Sequence, residues 1–438
     1  MMNFLSKIIV VLFLVVLLAT PAMATNGDNL IGVGPISRAM GGVGIAAPQD
    51  AISAVFANPA AMCFGPFCPT SQVDFAGTLF MPDVKAKVSG PAGPAPGMGI
   101  GGTIKDDSDD EVYAIPAIGI SVPITDGLSP PDWRFGLAAF GVTGLGVDYR
   151  ESNLDQPGYY PFTDYDPTAP GDGPLITGEY TQLQSMRFAP AFGYQRNAKL
   201  SFGLAGIVEY SNLDLGNGSD WDYGFGLQGG AIFRPINDLS LGLNIITPRK
   251  LEFEKVADFD NSGSLDDLDL EAPLEIGAGA AYMFNQFIIE ADVKWINWSD
   301  ADGYKDFDWN DQWVFAIGGQ YEPIPKLFLR AGYNYAKTPV DDNDGFDGRS
   351  TKKVQGKVIP SEYYYETFRL IGFPALVEHH VTLGIGYEFT PTFSVNLGYM
   401  HAFKNDLKED GTTPFGVPVT IESELTEDAI DLGLTWRF

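Results

Sequence analysis

The chain closes on IDLGLTWRF, in which Ile430, Leu432, Leu434, Trp436 and Phe438 alternate with Asp431, Gly433, Thr435 and Arg437. Side chains of a strand point to opposite faces in turn, so the apolar set can meet lipid while the polar set meets a wet or filled lumen. The same period of two recurs along most of the sequence. It is sharpest over 221–234, where Tyr223, Phe225, Leu227, Ala231 and Phe233 share one face and Asp222, Gly224, Gly226, Gln228 and Gly230 the other. Read this way, the pattern predicts about fourteen strands, an even number as single-chain bacterial barrels require. They run over 72–88, 113–124, 133–148, 181–194, 200–210, 221–234, 239–253, 272–284, 287–298, 312–322, 327–336, 378–389, 393–403 and 430–438.

The connectors sort themselves. Those after even-numbered strands are short, such as 195–199, 235–238, 285–286, 323–326 and 390–392, and nearly all the others are long. Periplasmic turns and extracellular loops differ in this way in outer-membrane barrels. Trp133, Trp221, Trp295, Trp298, Trp313, Tyr333, Tyr335 and Trp436 fall near strand ends, as interfacial girdles require. The expected fold is therefore all-β, a closed antiparallel transmembrane barrel in the outer membrane of a Gram-negative cell. A soluble β-sandwich would end after about 200–250 residues and would not sort its loops.

Three segments divide the 438 residues: a signal peptide over 1–24, an N-terminal plug over 25–70, and the barrel over 71–438. Lys7 precedes an apolar run from Ile8 to Leu18, and Ala22-Met23-Ala24 forms a small-residue cleavage site, so that Thr25 starts the mature chain. No later apolar run has the roughly 20 residues a membrane helix needs. The formal charge is −29, and loss of the leader with its single Lys7 gives −29 − 1 = −30. That charge excludes nucleic acid as a partner. The acids crowd into connectors at 106–111, 258–269 and 341–347. Solvated loops explain the crowding, and divalent-cation bridging to an anionic membrane surface is the alternative.

Candidate chemistry is sparse. Cys63 and Cys68, the only cysteines, suggest a local disulfide in an exported chain. Asp258, Asp260, Ser262, Gly263, Leu265 and Asp269 follow the spacing of a calcium loop, with Asp in place of the terminal Glu. Weak calcium binding is the functional reading of that stretch and a solvated acidic loop the plain one. The three histidines, His379, His380 and His401, come without a G-x-S-x-G nucleophile motif, so neither an enzyme nor a cofactor is expected.

Inward positions are crowded with small residues, among them Gly136, Gly203, Gly230, Gly279, Gly384 and Gly398, which leaves room in the lumen. The apolar, Gly- and Ala-rich stretch before the first strand is available to fill it. In NLIGVGPISRAMGGVGIAAPQDAISAVFANPAAM the order Gly34, Arg38, Gly41, Gly42, Asp50 and Asn58-Pro59-Ala60 resembles the hatch of the outer-membrane long-chain fatty acid and hydrocarbon transporters of the FadL type. TPRKLEFE (247–254), WINWSD (295–300), FPALVEHHVTLGIGYEF (373–389) and GYMHAF (398–403) are similar to that family as well.

The resemblance implies a fourteen-stranded barrel plugged by its N-terminus, passive uptake of fatty acids or hydrocarbons by a monomer, and lateral escape into outer-membrane lipid beside a distorted strand. An apolar solute gains about 0.8 kcal/mol per CH2 on leaving water, so lipid is a better exit than periplasm. FGLAAFGVTGLGV (135–147) in the third strand carries four glycines, which suit a kink or bulge there, and Phe140 inside it is a gating candidate together with Arg38, Asn58, Pro59 and Ala60. Arg187, Lys294 and Arg330 fall on inward positions. Each would either bind a carboxylate head group or pair with acids such as Asp292 and Glu275. The chain departs from the family's fatty acid members in its short connector at 211–220. The long loops at 149–178 and 337–377 are expected to substitute, the latter with Tyr363, Tyr364, Tyr365, Phe368 and Phe373 as an apolar surface. A structural or adhesive barrel with acidic extracellular loops is the reading from another functional class.

Overall fold

A computed structural model describes residues 25–63, 71–95, 98–109, 112–124, 132–150, 152–154, 178–216 and 218–438. The expected signal peptide, Cys68 and most of the third connector lie outside the described residues. Fourteen strands form one closed antiparallel wall: β1 (Gln72–Gly90), β2 (Tyr113–Pro123), β3 (Asp132–Asp148), β4 (Tyr180–Asn197), β5 (Leu200–Asp214), β6 (Ser219–Ile236), β7 (Leu239–Ile246), β8 (Glu275–Phe284), β9 (Phe287–Ile296), β10 (Gln312–Ile324), β11 (Leu327–Ala336), β12 (His379–Thr390), β13 (Phe393–Thr412) and β14 (Pro418–Arg437). Each pairs with its neighbour in sequence, and β14 closes on β1 through Thr426↔Asp83 and Arg437↔Gln72. Closure leaves no free sheet edge, which is what a sheet in lipid requires.

Alternation places the apolar set outside. Phe225, Leu243, Ile317 and Leu432 are all exposed on the outer wall, a belt too large for a protein bathed in water on that side. Trp133, Trp221, Trp313, Tyr333 and Trp436 belong to this outer surface. Trp298 does not. It is fully buried and packs with Tyr304 and Trp309 at ring separations of 4.6 and 5.0 Å, inside a core built by the long loops.

The loop aromatics are a second correction. Tyr363, Tyr364, Tyr365, Phe368 and Phe373 are buried with Phe253, Phe259 and Phe307 in the same core, not offered as an outer surface. The fully buried Arg369 ties this loop to the wall through Glu366 (2.7 Å) and Glu409 of β13. Turning the rings outward would leave that guanidinium and its carboxylates apart in an apolar setting.

Two strand boundaries also move. The expected strand over 239–253 stops at Ile246, and Arg249–Ala257 instead pairs with Asp266–Ala272 as a hairpin of its own. Pro248 has no N–H to continue the barrel ladder. The expected last loop is a tall hairpin instead: β13 and β14 pair as far as Thr412↔Pro418. Period two continues there, but Asp406, Lys408 and Asp410 hold the outward positions, so the ribbon stands above the lipid in water. The connector after β5 is as short as expected, reduced to 215–218.

Candidate translocation site

Residues 25–63 lie within the barrel, almost wholly buried, with short helices α1 (Pro35–Ala39) and α2 (Ala51–Ala57) followed by a 3-10 turn over Pro59–Cys63. Asp50 caps α2 by accepting the Ser53 N–H at 2.6 Å, and Asn58 ends it. Pro59 holds the residue before it in an extended conformation, φ −164° and ψ 104°, which swings the Asn58 amide toward the wall. Its Nδ2 donates to the carbonyls of Ile45 (2.8 Å), Leu243 (3.2 Å) and Ala231 (3.4 Å), and its Oδ1 accepts the Ala60 N–H (3.0 Å). The Ala60 carbonyl takes the Ser201 hydroxyl at 2.7 Å. Asn-Pro-Ala is thus a knot between the inner segment and strands β5, β6 and β7. It needs bare wall beneath it: a Cβ on Gly203 would sit 2.1 Å from the Ala60 nitrogen, and one on Gly230 would sit 2.0 Å from Asn58 Oδ1.

Charged side chains fix the remainder of the segment. Arg38 is buried, donates twice to the Gly32 carbonyl, and pairs with the equally buried Asp431 of β14 at 2.9 Å, with Thr78 of β1 bonded to both. Across the barrel, Asp292 Oδ2 accepts the N–H groups of Gly44 (2.9 Å) and Ile45 (3.1 Å), and Glu290 Oε1 those of Ala46 (2.7 Å) and Ala47 (3.0 Å). Four consecutive amides of a buried loop thereby gain partners. Asp292 serves the segment's backbone and makes no ion pair among the described residues. Lys294 is half-buried and likewise unpaired among them.

The third strand is distorted where its glycines cluster. The β2–β3 ladder ends at Ala117↔Phe140, although β2 reaches back to Tyr113 and β3 runs on to Asp148. One residue further the β3–β4 register slips between Gly141 and Thr143; Thr143 keeps Ser185 of β4 as a partner and pairs also with Asn29 of the inner segment. Side chains of β2 reach into the resulting break in the wall. A Cβ on Gly141 would meet Ile115 Cγ2 at 2.4 Å, and one on Gly146 would meet the Tyr113 hydroxyl at 2.2 Å. Phe140 points inward below the break and meets Phe56 of α2 edge-on at 5.5 Å. A small cavity at the same place is lined by Thr25, Asp28, Phe80, Tyr113, Gly146 and Glu427.

Above the segment, Arg187 pairs with Glu209 at 2.8 Å and lies 3.8 Å from Glu275, the partner expected from sequence. Arg249 from the loop hairpin shares Glu209 at 2.6 Å, its aliphatic stem occupying the room left by Gly224 and Gly226. Each guanidinium keeps one buried nitrogen, Nη2, without a hydrogen-bond partner. Beside them the Tyr304 hydroxyl donates to Asp28, whose pKa burial pushes up to about 7 against the opposing effect of that hydrogen bond. A carboxyl with a folded pKa above its unfolded value of 3.8 takes up a proton on folding. Its contribution is complete below pH 4 or so and is lost as pH rises through about 7. Hydrogen exchange over 25–34, corrected for intrinsic rates, is expected to quicken between pH 5 and pH 8, and Asp28→Asn to abolish that dependence.

Arg330 lies at the opposite, short-turn end. It donates to Gln320 Oε1 (2.7 Å) and Asn396 Oδ1 (2.9 Å) and borders a cavity of about 280 Å3 with Gln49, Phe328 and Arg437. Cys63 ends the 3-10 turn, and its expected bridge to Cys68 falls outside the described residues. In the acidic loop the carboxylates that converge are Asp258, Asp260 and Asp266, not Asp269. Asp269 is exposed on the second hairpin strand, displaced because pairing begins at Asp266, and Lys357 already occupies Asp266.

Glu209, Arg249, Tyr304, Tyr113 and Ile115 were not singled out from sequence. Strand parity marks the first as inward, but the pairing of Arg249 depends on a hairpin that folds into the lumen.

Residues 256–345 match the sequence model of the family described as outer membrane protein transport protein (OMPP1/FadL/TodX). No curated protein matches the chain. Among solved structures it is similar to a Pseudomonas aeruginosa FadL homologue (15% identity, 96% of this chain and 100% of that one, TM-score 0.63). Others are the P. putida toluene transporter TodX (20%, 93% and 99%, TM-score 0.61) and the Ralstonia pickettii toluene transporter TbuX (16%, 94% and 99%, TM-score 0.59). This chain is an outer-membrane β-barrel with the fold of the FadL and TodX transport proteins, the family it resembles.

Proposed function

We propose that the chain is a passive outer-membrane channel for hydrophobic small molecules, plugged by residues 25–63 and releasing its solute sideways into lipid between β2 and β3. The observation that carries this reading is the wall break beyond Ala117↔Phe140, where backbone bonds give way to the movable side chains of Tyr113 and Ile115. A solute leaving there passes from an apolar lumen to acyl chains without crossing water, and each buried CH2 keeps its roughly 0.8 kcal/mol. The toluene transporters of similar fold support a hydrophobic cargo. The Nη2 of Arg249, without a hydrogen-bond partner, and that of Arg187, held only by Glu275 at 3.8 Å, favour a monocarboxylate such as a long-chain fatty acid among such solutes, because a buried donor gains most from a charged acceptor. One chain closes the wall, so the reading needs no second copy.

Filling the break tests it. Gly146→Leu and Gly141→Leu collide first with side chains, the Tyr113 hydroxyl and Ile115 Cγ2, and the nearest backbone atom is the Thr181 carbonyl oxygen, 3.1 Å from a Cβ on Gly146, so the barrel is expected to assemble with the opening stopped. In cells lacking their own transporter, initial uptake of radiolabelled oleate should fall about tenfold, the loss equivalent to about 1.4 kcal/mol of barrier. Uptake at the unsubstituted rate would overturn lateral release.

A further inference from the structure

Glu427 of β14 points inward and is buried, and no Lys, Arg or His pairs with it among the described residues. Its Oε2 has no hydrogen-bond partner. A carboxylate so placed is costly unless a cation reaches it. The groups that do reach it belong to Thr25, which is itself buried: the hydroxyl donates to Oε1 at 3.4 Å, and the backbone N–H bonds to the same carboxylate. His380, bonded through Nδ1 to the Asn334 carbonyl, also neighbours the Thr25 backbone. Thr25 is also the residue after Ala22-Met23-Ala24, the small-residue pattern of a leader cleavage site.

We propose that cleavage between Ala24 and Thr25 creates the missing cation, and that the new α-ammonium of Thr25 forms a buried ion pair with Glu427. Water adds across the peptide bond in a reaction of the leader-peptidase class, leaving a carboxylate on Ala24 and an ammonium on Thr25. One neutral donor facing Glu427 thereby becomes a charged group with three. Processing and plugging are coupled by this pair. Until the leader is removed the Glu427 carboxylate lacks its counter-charge; afterwards the first residue of the plug is held on the last strand of the wall, three residues from Asp28 and four from the Asn29–Thr143 bridge. The inference does not depend on what the channel carries.

The test uses full-length protein exported with its own leader and purified from outer membranes. Intact mass is expected to give Thr25 as the first residue. Acetylation with an N-hydroxysuccinimide ester in detergent, read by peptide mass spectrometry, is expected to label the Thr25 amine at least about tenfold more slowly in the folded barrel than in the unfolded chain, since only local opening exposes it. Glu427→Gln should remove most of that protection. A different first residue, a Thr25 amine labelled as fast folded as unfolded, or undiminished protection in Glu427→Gln would overturn the proposal. Protection in the unsubstituted protein decides the matter by itself should the variant fail to assemble.

Discussion

Gly203→Val is expected to unplug the barrel without dismantling it. The new Cβ would lie 2.1 Å from the Ala60 nitrogen and 2.3 Å from the Pro59 carbonyl carbon, and backbone cannot swing aside as a side-chain tip can. Asn58 then loses its bonds to the Ala231 and Leu243 carbonyls and Ser201 its bond to Ala60. The wall does not need the segment: the β4–β5 and β5–β6 ladders on either side of Gly203 run through it intact. Planar bilayers should therefore show a steady ion current for the variant, at least about tenfold above the unsubstituted channel, which corresponds to about 1.4 kcal/mol of plug docking. A silent variant with a folded barrel would mean that the segment does not block the pore.

Arg38→Met is expected to loosen the segment on the opposite wall by about 3–5 kcal/mol, the cost of stranding a buried carboxylate. Arg38 and Asp431 are almost completely enclosed, and Thr78 is shared between them, so Asp431 would be left with a single hydroxyl for company. The double variant Arg38→Met with Asp431→Asn removes both charges and should recover most of the loss, because the penalty belongs to the unpaired ion. Protease cutting within 25–63 of the detergent-solubilised protein reads the effect. Equal susceptibility of the single and double variants would contradict an ion pair as the anchor.

The parts of the fold that lie in lipid were legible in the sequence because lipid imposes one rule on every outward position. All fourteen strands were found, and β11 was bounded correctly at 327–336. Above the membrane the rule lapses. Outward positions of β13 and β14 accept Asp, Lys and Glu there, so a template built on greasy alternation ended at Phe403, nine residues before the strand does. The loops were misread for a related reason. A run such as Tyr363 to Tyr365 is apolar whether it faces a solute or a core, and only the buried Arg369–Glu409 tie decides which. For the site, Asn58 and Arg38 were legible through the motif that carries them. Tyr113 and Ile115 were not, since each is an ordinary strand residue until the neighbouring ladder breaks.

Lateral release is tested most directly by anomalous diffraction from crystals grown with a fatty acid brominated along its chain. Bromine is expected in the wall between β2 and β3, beside Ile115 and Gly146, with the carboxylate toward Arg187 and Arg249. Bromine confined to the cavity beside Arg330 at the short-turn end, with none in the wall, would place the exit in the periplasm and contradict the account.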